Sequence, residues 1–228
     1  MRYKRIFGYF FNVGLLLFSS FSLLGQESNN KTELTEELPK EPFFRGLYVG
    51  ADLFAPAAYL LGTNNISYEA SLFADLNNKF FPIWEIGFGK GNALTEYELG
   101  MYSKTALYNR IGLNYNMLNN KHKDFVYLGL RYGFSSFDYG FENILITENF
   151  WKEEYKNTPA MQSATVHWGE MAAGVQVHIT AGLYMGWSIR YKLLFNQKVE
   201  NEDLKPWYIP GYGTSKWGIG YTVHYKIK

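Results

Sequence analysis

Acid–base chemistry in this chain has four histidines to draw on, His122, His167, His178 and His224, and no cysteine at all. A histidine beside a serine or carboxylate is the arrangement by which hydrolases and acyltransferases work near neutral pH. His167 comes closest, with Ser163 before it and Glu170 after it. Its surroundings predict a β-strand, on which a spacing of three puts His167 and Glu170 on opposite faces. Ser163 stands at no diagnostic spacing from either. His178 and His224 are expected to point inward near one end of the fold, where they could hold a metal; filling that end is the simpler role. The expectation is no enzyme, no cofactor and no metal. The missing cysteines also exclude a disulfide scaffold, a thiolate site and a lipoprotein anchor.

Paired charge is the other chemistry on offer. Strand parity puts Asp52, Glu69, Asp75 and Glu85 on the same, inward face as Arg110, Arg131, Glu170, Arg190, Lys192 and Lys216. Acids and bases nearly match. Charges enclosed by a narrow fold must be paired to offset desolvation, so they are read as a salt-bridged plug in preference to a conducting pore. Inward glycines (Gly46, Gly50, Gly129, Gly133, Gly218 and Gly220) would leave room for the long cationic side chains.

The elements that position these residues are strands. From Leu183 to Phe195 the sequence LYMGWSIRYKLLF alternates, with Leu183, Met185, Trp187, Ile189, Tyr191, Leu193 and Phe195 on one face. Tyr184, Gly186, Ser188, Arg190, Lys192 and Leu194 occupy the other. Eight such candidates lie near 44–54, 65–76, 80–90, 103–118, 125–136, 163–179, 183–196 and 215–227. The separators 77–79, 119–123 and 180–182 are short, whereas 55–64, 91–102, 137–162 and 197–214 are long. Outer-membrane strands need roughly 9–11 tilted residues and have short turns on the periplasmic side, long loops outside. The expected fold is an all-β, eight-stranded antiparallel up-and-down transmembrane β-barrel of the small OmpA/OmpX type. An aromatic content of 19% suits interfacial girdles. The mean hydropathy of −0.23 is no objection, because polar interior residues cancel lipid-facing ones.

The amino terminus supplies an address. Met1–Arg5 is basic and Ile6–Leu24 apolar, which predicts a signal peptide over 1–25 cleaved between Gly25 and Gln26, in preference to a membrane anchor. Residues 26–42 (QESNNKTELTEELPKEP) are polar and acidic and predict a disordered periplasmic lead-in. The barrel then covers 43–228, with both mature ends periplasmic. Removing Arg2, Lys4 and Arg5 takes the net charge from +1 to −2, so nucleic acid is not an expected partner. Outer-membrane lipid is, together with another outer-membrane or periplasmic protein.

Two loops are candidates for such contacts. Lys205–Gly213 (KPWYIPGYG) sets Lys205, Pro206, Trp207, Tyr208, Pro210 and Tyr212 in a stiff aromatic segment, read either as a partner-binding loop or as a cap packed on its neighbours. Phe137–Gln162 contains Trp151 and the charge run Lys152–Lys156. The last outward set, Trp217, Ile219, Tyr221, Val223, Tyr225 and Ile227, ends on an offset form of the terminal aromatic signal at Tyr225.

The segments FFPIWEIGFGK (80–90), RIGLNYN (110–116), LRYGFSSFDY (130–139), HWGE (167–170), MGWSIRYK (185–192) and KPWYIPGYG (205–213), in this order, resemble a family of uncharacterised Bacteroidota outer-membrane β-barrel proteins. The resemblance runs from about Phe43 to the end. It implies the fold and the location and brings no activity or site residue. The functional expectation is a non-enzymatic barrel with a structural or interaction role. The alternatives are an accessory subunit of an outer-membrane assembly or secretion complex, and a lipid-modifying enzyme.

Overall fold

The computed structural model describes residues 42–63, 65–94, 100–118, 123–142, 144–147, 154–157 and 161–227. The expected leader (1–25), the lead-in up to residue 41, His122 and Trp151 lie outside the described residues.

Every named strand pairs antiparallel. The long strands are β1 (Phe44–Asp52), β2 (Asn65–Leu76), β3 (Phe80–Leu94), β5 (Ala106–Asn116), β6 (Phe125–Glu142), β9 (Gln162–Thr180), β10 (Leu183–Val199) and β11 (Trp217–Lys226). Each pairs with the next along the chain, and β1 pairs back onto β11, so eight strands form a closed ring. Short β4 (Gly100–Ser103) extends the ring between β3 and β6. A separate hairpin, β7 (Ile144–Thr147) with β8 (Glu154–Asn157), lies within the longest loop. The predicted strand from 103 is therefore broken: β4 ends at Ser103 and β5 begins at Ala106.

Turn chemistry fixes one end of the ring. Asn77 and Asn78 both take positive φ, 57° and 52°, the backbone of a two-residue hairpin turn whose twist matches the strands it joins. Asp75 locks that turn by accepting a 2.6 Å hydrogen bond from the Asn78 N–H. Ala181 and Gly182 do the same between β9 and β10. Phe44 pairs beside this end, opposite Leu76, and Lys226 donates to the Gly182 carbonyl there, so both ends of the described fold sit at the turn end.

The opposite, loop end differs from expectation after β1. Phe54, expected in a strand, and the first part of the loop after it form helix α1 (Phe54–Leu60), with Leu53 just before it. Its causes are local: the Asp52 carboxylate accepts from the N–H groups of Phe54 (2.7 Å) and Ala55 (3.3 Å), Pro56 falls in the first turn, and Gly62 ends the helix at φ 97°.

Outside, the ring is apolar all the way round. Phe88 on β3, Ile111 on β5, Leu130 on β6, Met171 on β9, Ile189 on β10 and Ile219 on β11 are each exposed. Inside, two aromatic layers sandwich a charged one. At the turn end Tyr48 stacks on Phe73 and Phe81 on Phe125, with ring centroids 4.5 and 4.7 Å apart. At the loop end Tyr108, Phe137, Tyr139 and Trp168 pack against Tyr208, Ile209 and Tyr212. Much of the aromatic content assigned to girdles thus fills the interior instead.

Candidate functional site

Between the aromatic layers, inward positions of six strands bring their charges to one level. Arg110 on β5 is the hub. Its guanidinium pairs with Glu69 of β2, and it lies 2.9 Å from Glu85 of β3 and 3.2 Å from Glu170 of β9. Arg131 of β6 reaches Glu85 at 3.5 Å and donates to Asn114 Oδ1 at 2.7 Å. Arg190 of β10 bridges Glu69 and Glu85 at 3.5 and 3.6 Å. Glu170 also accepts from the Trp168 indole N–H at 2.7 Å, and Glu69 from the Tyr108 hydroxyl at 2.9 Å. Three guanidinium groups therefore meet three carboxylates, all nearly inaccessible to solvent, and each charge has a partner to offset its desolvation.

The remaining four residues of the expected network are placed differently. Asp75 belongs to the turn, its carboxylate held by Asn78. Asp52 belongs to the start of α1. Lys216 immediately precedes β11 and is exposed; its carbonyl accepts from the Lys192 N–H at 2.7 Å, but its side chain joins none of the buried ion pairs. Lys192 does point inward and is buried, but among the described residues it pairs with no carboxylate; it donates to the Tyr212 carbonyl.

The inward glycines are where these side chains fit. A Cβ on Gly129 would stand 2.1 Å from Asn114 Oδ1 and 2.7 Å from Arg131 Nη1, and one on Gly133 would stand 2.3 Å from the Trp168 ring. Gly133→Ala is accordingly expected to cost about 1–3 kcal/mol of stability through overpacking. Gly218→Ala, where the nearest atom is Lys192 Nζ at an ordinary contact distance of 3.5 Å, serves as the near-silent control. Denaturant midpoints of the two variants check this.

The segment 205–213 is a cap. Pro206, Tyr208, Pro210 and Tyr212 are buried, Trp207 is half-buried, and only Lys205 is exposed. Of the two readings of these six residues, the cap packed on its neighbours is the one this burial supports: Gly211, at φ 81°, lets the chain fold down onto the Tyr108 ring. Burial pushes the Tyr208 phenol well above its ordinary value, so Tyr208 stays a neutral phenol.

Histidine chemistry stays dispersed. His224 is buried with Nε2 2.8 Å from Ser71 Oγ and Nδ1 3.2 Å from Gln176 Nε2, so both ring nitrogens are engaged. His178 packs edge-on against Tyr184. His167 faces outward, 2.8 Å from the Tyr132 hydroxyl, on the opposite side of the wall from Glu170.

A cleft of about 460 Å³, unmarked in the sequence reading, opens at the loop end. It runs from Phe54 and Ala58 of α1 over Trp217 and Ile219 to Arg190 and Lys192 inside. No signal in the sequence marks it, because it depends on where β1 ends relative to β2 and β11.

No curated protein and no solved structure matches the chain. A family is nonetheless shown over almost the whole length: residues 6–228 match the domain of unknown function DUF6048, and the chain belongs to that family.

Proposed function

We propose that the protein is an eight-stranded outer-membrane β-barrel with a structural or interaction role, its interior plugged by paired charges and non-conducting. The observation that carries this reading is the inversion of burial: large apolar side chains cover the outside of the ring, while the ionised groups are inside and paired. In water, a continuous apolar belt of that extent would be an aggregation surface; against hydrocarbon it is the satisfied one. Ring closure supports the same reading, since a spanning sheet must leave no backbone edge unpaired in lipid. The turn end would face the periplasm, together with both chain ends.

Mature protein is expected to fractionate with the outer membrane and to migrate on gels at a position that shifts on boiling. Recovery in the soluble periplasm with ordinary migration would sink the reading. A second reading, an accessory subunit of a larger outer-membrane assembly, is favoured by one feature of the wall. A dent of about 440 Å³ crosses β5, β6, β9 and β10 on the outer face, lined by Leu113, Leu128, Met171, Ala173, Ile189 and Tyr191. Gentle detergent extraction followed by copurification separates the two: a stoichiometric companion protein, lost when Ala173 is enlarged to Phe, selects the accessory role.

A further inference from the structure

The cleft at the loop end is a breach in the wall of the ring. β1 runs alongside β11 only as far as Asp52 opposite Thr222, and alongside β2 only as far as Ala51 opposite Ala70. Beyond that level, residues 217–221 of β11 and 65–69 of β2 have no strand between them; Leu53 bonds the Tyr221 carbonyl and α1 packs against both strands. A helix cannot continue a sheet's hydrogen bonding, so the wall there is closed by side chains alone. The cleft passes through this notch, which is why one depression is lined both by outward Trp217 and Ile219 and by inward Arg190 and Lys192.

Its two ends have opposite chemistry. The outer lip is apolar: Phe54, Tyr59, Leu60 and Leu61 of the α1 segment are exposed, as are Trp217 and Ile219. The inner end carries a cation outside the ion pairs. Arg110, Arg131 and Arg190 are matched by Glu69, Glu85 and Glu170, whereas Lys192, only 8% exposed, makes no ion pair within 4 Å among the described residues; Glu170 stands opposite it on β9 but is engaged by Arg110 and the Trp168 N–H. Its ammonium group has three donors, of which the Tyr212 carbonyl takes one. Lys192 lines the cleft beside Gly213 and Gly218, where even a Cβ would stand 3.9 and 3.5 Å from Nζ. Two acids also border the cleft, but Glu69 is held by Arg110 and Arg190, and Asp52 Oδ1 by the N–H groups of α1.

We propose that this cleft binds a single-chain anionic amphiphile, with its oxyanion head on Lys192 and its tail leaving through the notch along Phe54, Trp217 and Ile219. A volume of about 460 Å³ suits a small ligand. Charge complementarity decides the polarity: the one buried cation at the closed end that makes no ion pair within 4 Å among the described residues asks for one anionic head, and the apolar lip asks for a chain that continues into lipid. The inference rests on the outer-membrane reading, from which the lip's surroundings follow.

The test uses the purified protein in nanodiscs of zwitterionic phosphatidylcholine, titrated with carboxyl-¹³C laurate, dodecyl phosphate, dodecanol and acetate. Laurate or dodecyl phosphate is expected to bind saturably, and which of the two binds more tightly identifies a fatty carboxylate or a phosphate as the head. Dodecanol, lacking the charge, and acetate, lacking the tail, are expected to bind far more weakly. Lys192→Met should weaken the anionic amphiphile by about tenfold or more, the worth of a charge-assisted hydrogen bond, while Lys192→Arg retains binding. A boiling-dependent gel shift shows whether each variant is folded. Equal binding of dodecanol, or a folded Lys192→Met that binds as wild type, overturns the proposal, as does absence of binding by a protein correctly inserted in the disc. A protein that stays monodisperse without lipid or detergent refutes the outer-membrane reading itself, a different result from failure to bind.

Discussion

Arg110→Ala is expected to destabilise the folded protein by about 3–5 kcal/mol, the range for removing one partner from a buried ion pair. The reason is geometric. Arg110 is 3% exposed at its side chain and is the one cation in contact with all three glutamates of the middle layer. Arg131 and Arg190 reach Glu85 and Glu69 only at 3.5–3.6 Å. After the substitution Glu170 keeps the Trp168 N–H but no ion pair within 4 Å among the described residues, so it becomes the most costly group to leave ionised. That makes the effect separable from lost packing. Adding Glu170→Gln retains an acceptor for Trp168 while removing the widowed charge, and the double variant should recover part of the loss. Urea titrations of protein refolded into vesicles measure both. A hydrated pore predicts otherwise, because water would solvate the exposed carboxylates and Arg110→Ala would be mild. Planar-bilayer recording adds a second readout: with the charges paired and Tyr208 and Tyr212 seated above them, wild-type protein should give no steady conductance. Stable ion-selective channels together with a silent Arg110→Ala would overturn the plug.

What the sequence disclosed follows from what period-two alternation can encode. It located the eight strands of the ring, because on each of them one face meets a different medium from the other, and parity placed Glu69, Glu85, Arg110, Arg131, Glu170 and Arg190 together before any contact was known. It failed where the period is interrupted. Leu194, expected inward, is 43% exposed because a bulge at Phe195 breaks the register between β9 and β10. Lys216 was assigned by extending parity past the true start of β11. Helix α1 had legible signals in Asp52, Pro56 and Gly62, but the interval was short and apolar enough to pass for strand and loop. Two features were beyond alternation altogether. Nothing in KPWYIPGYG says whether an aromatic loop turns outward to a partner or inward over Tyr108, since both bury rings. The notch depends on β1 being shorter than β2, β10 and β11 at one level of the ring, a relation between strands that no single strand displays.

Ile189→Arg is expected to cost about 2–4 kcal/mol if the belt faces hydrocarbon, because an exposed cation near the bilayer midplane has no water. Ile189 suits the test for three reasons. It is 56% exposed, so the substitution creates no cavity or clash in the interior. It lies between Ala173 of β9 and Ile219 of β11, inside the apolar belt on both sides. It also sits one residue from Arg190, at the height of the internal charge layer and away from either rim. Were the ring dissolved in water, the same exposed substitution would stay within about 0.5 kcal/mol of wild type. Depth supplies the control: Phe195→Arg, at the loop-end bulge and 64% exposed, should cost only about 0–1 kcal/mol because a long cation there can reach the interface. Val223→Arg on the neighbouring strand, paired with Met185 four residues toward the turn end from Ile189, samples an intermediate depth and should cost less than Ile189→Arg. Ser188→Arg tests the other face, where a buried position beside Gly220 would force a fourth guanidinium toward Arg190 and disturb the ion pairs instead of the lipid contact. Refolding into vesicles of fixed composition, read as urea midpoints, should therefore rank Ile189→Arg far below Phe195→Arg. Equal, small effects at both depths would mean that the belt faces something other than lipid.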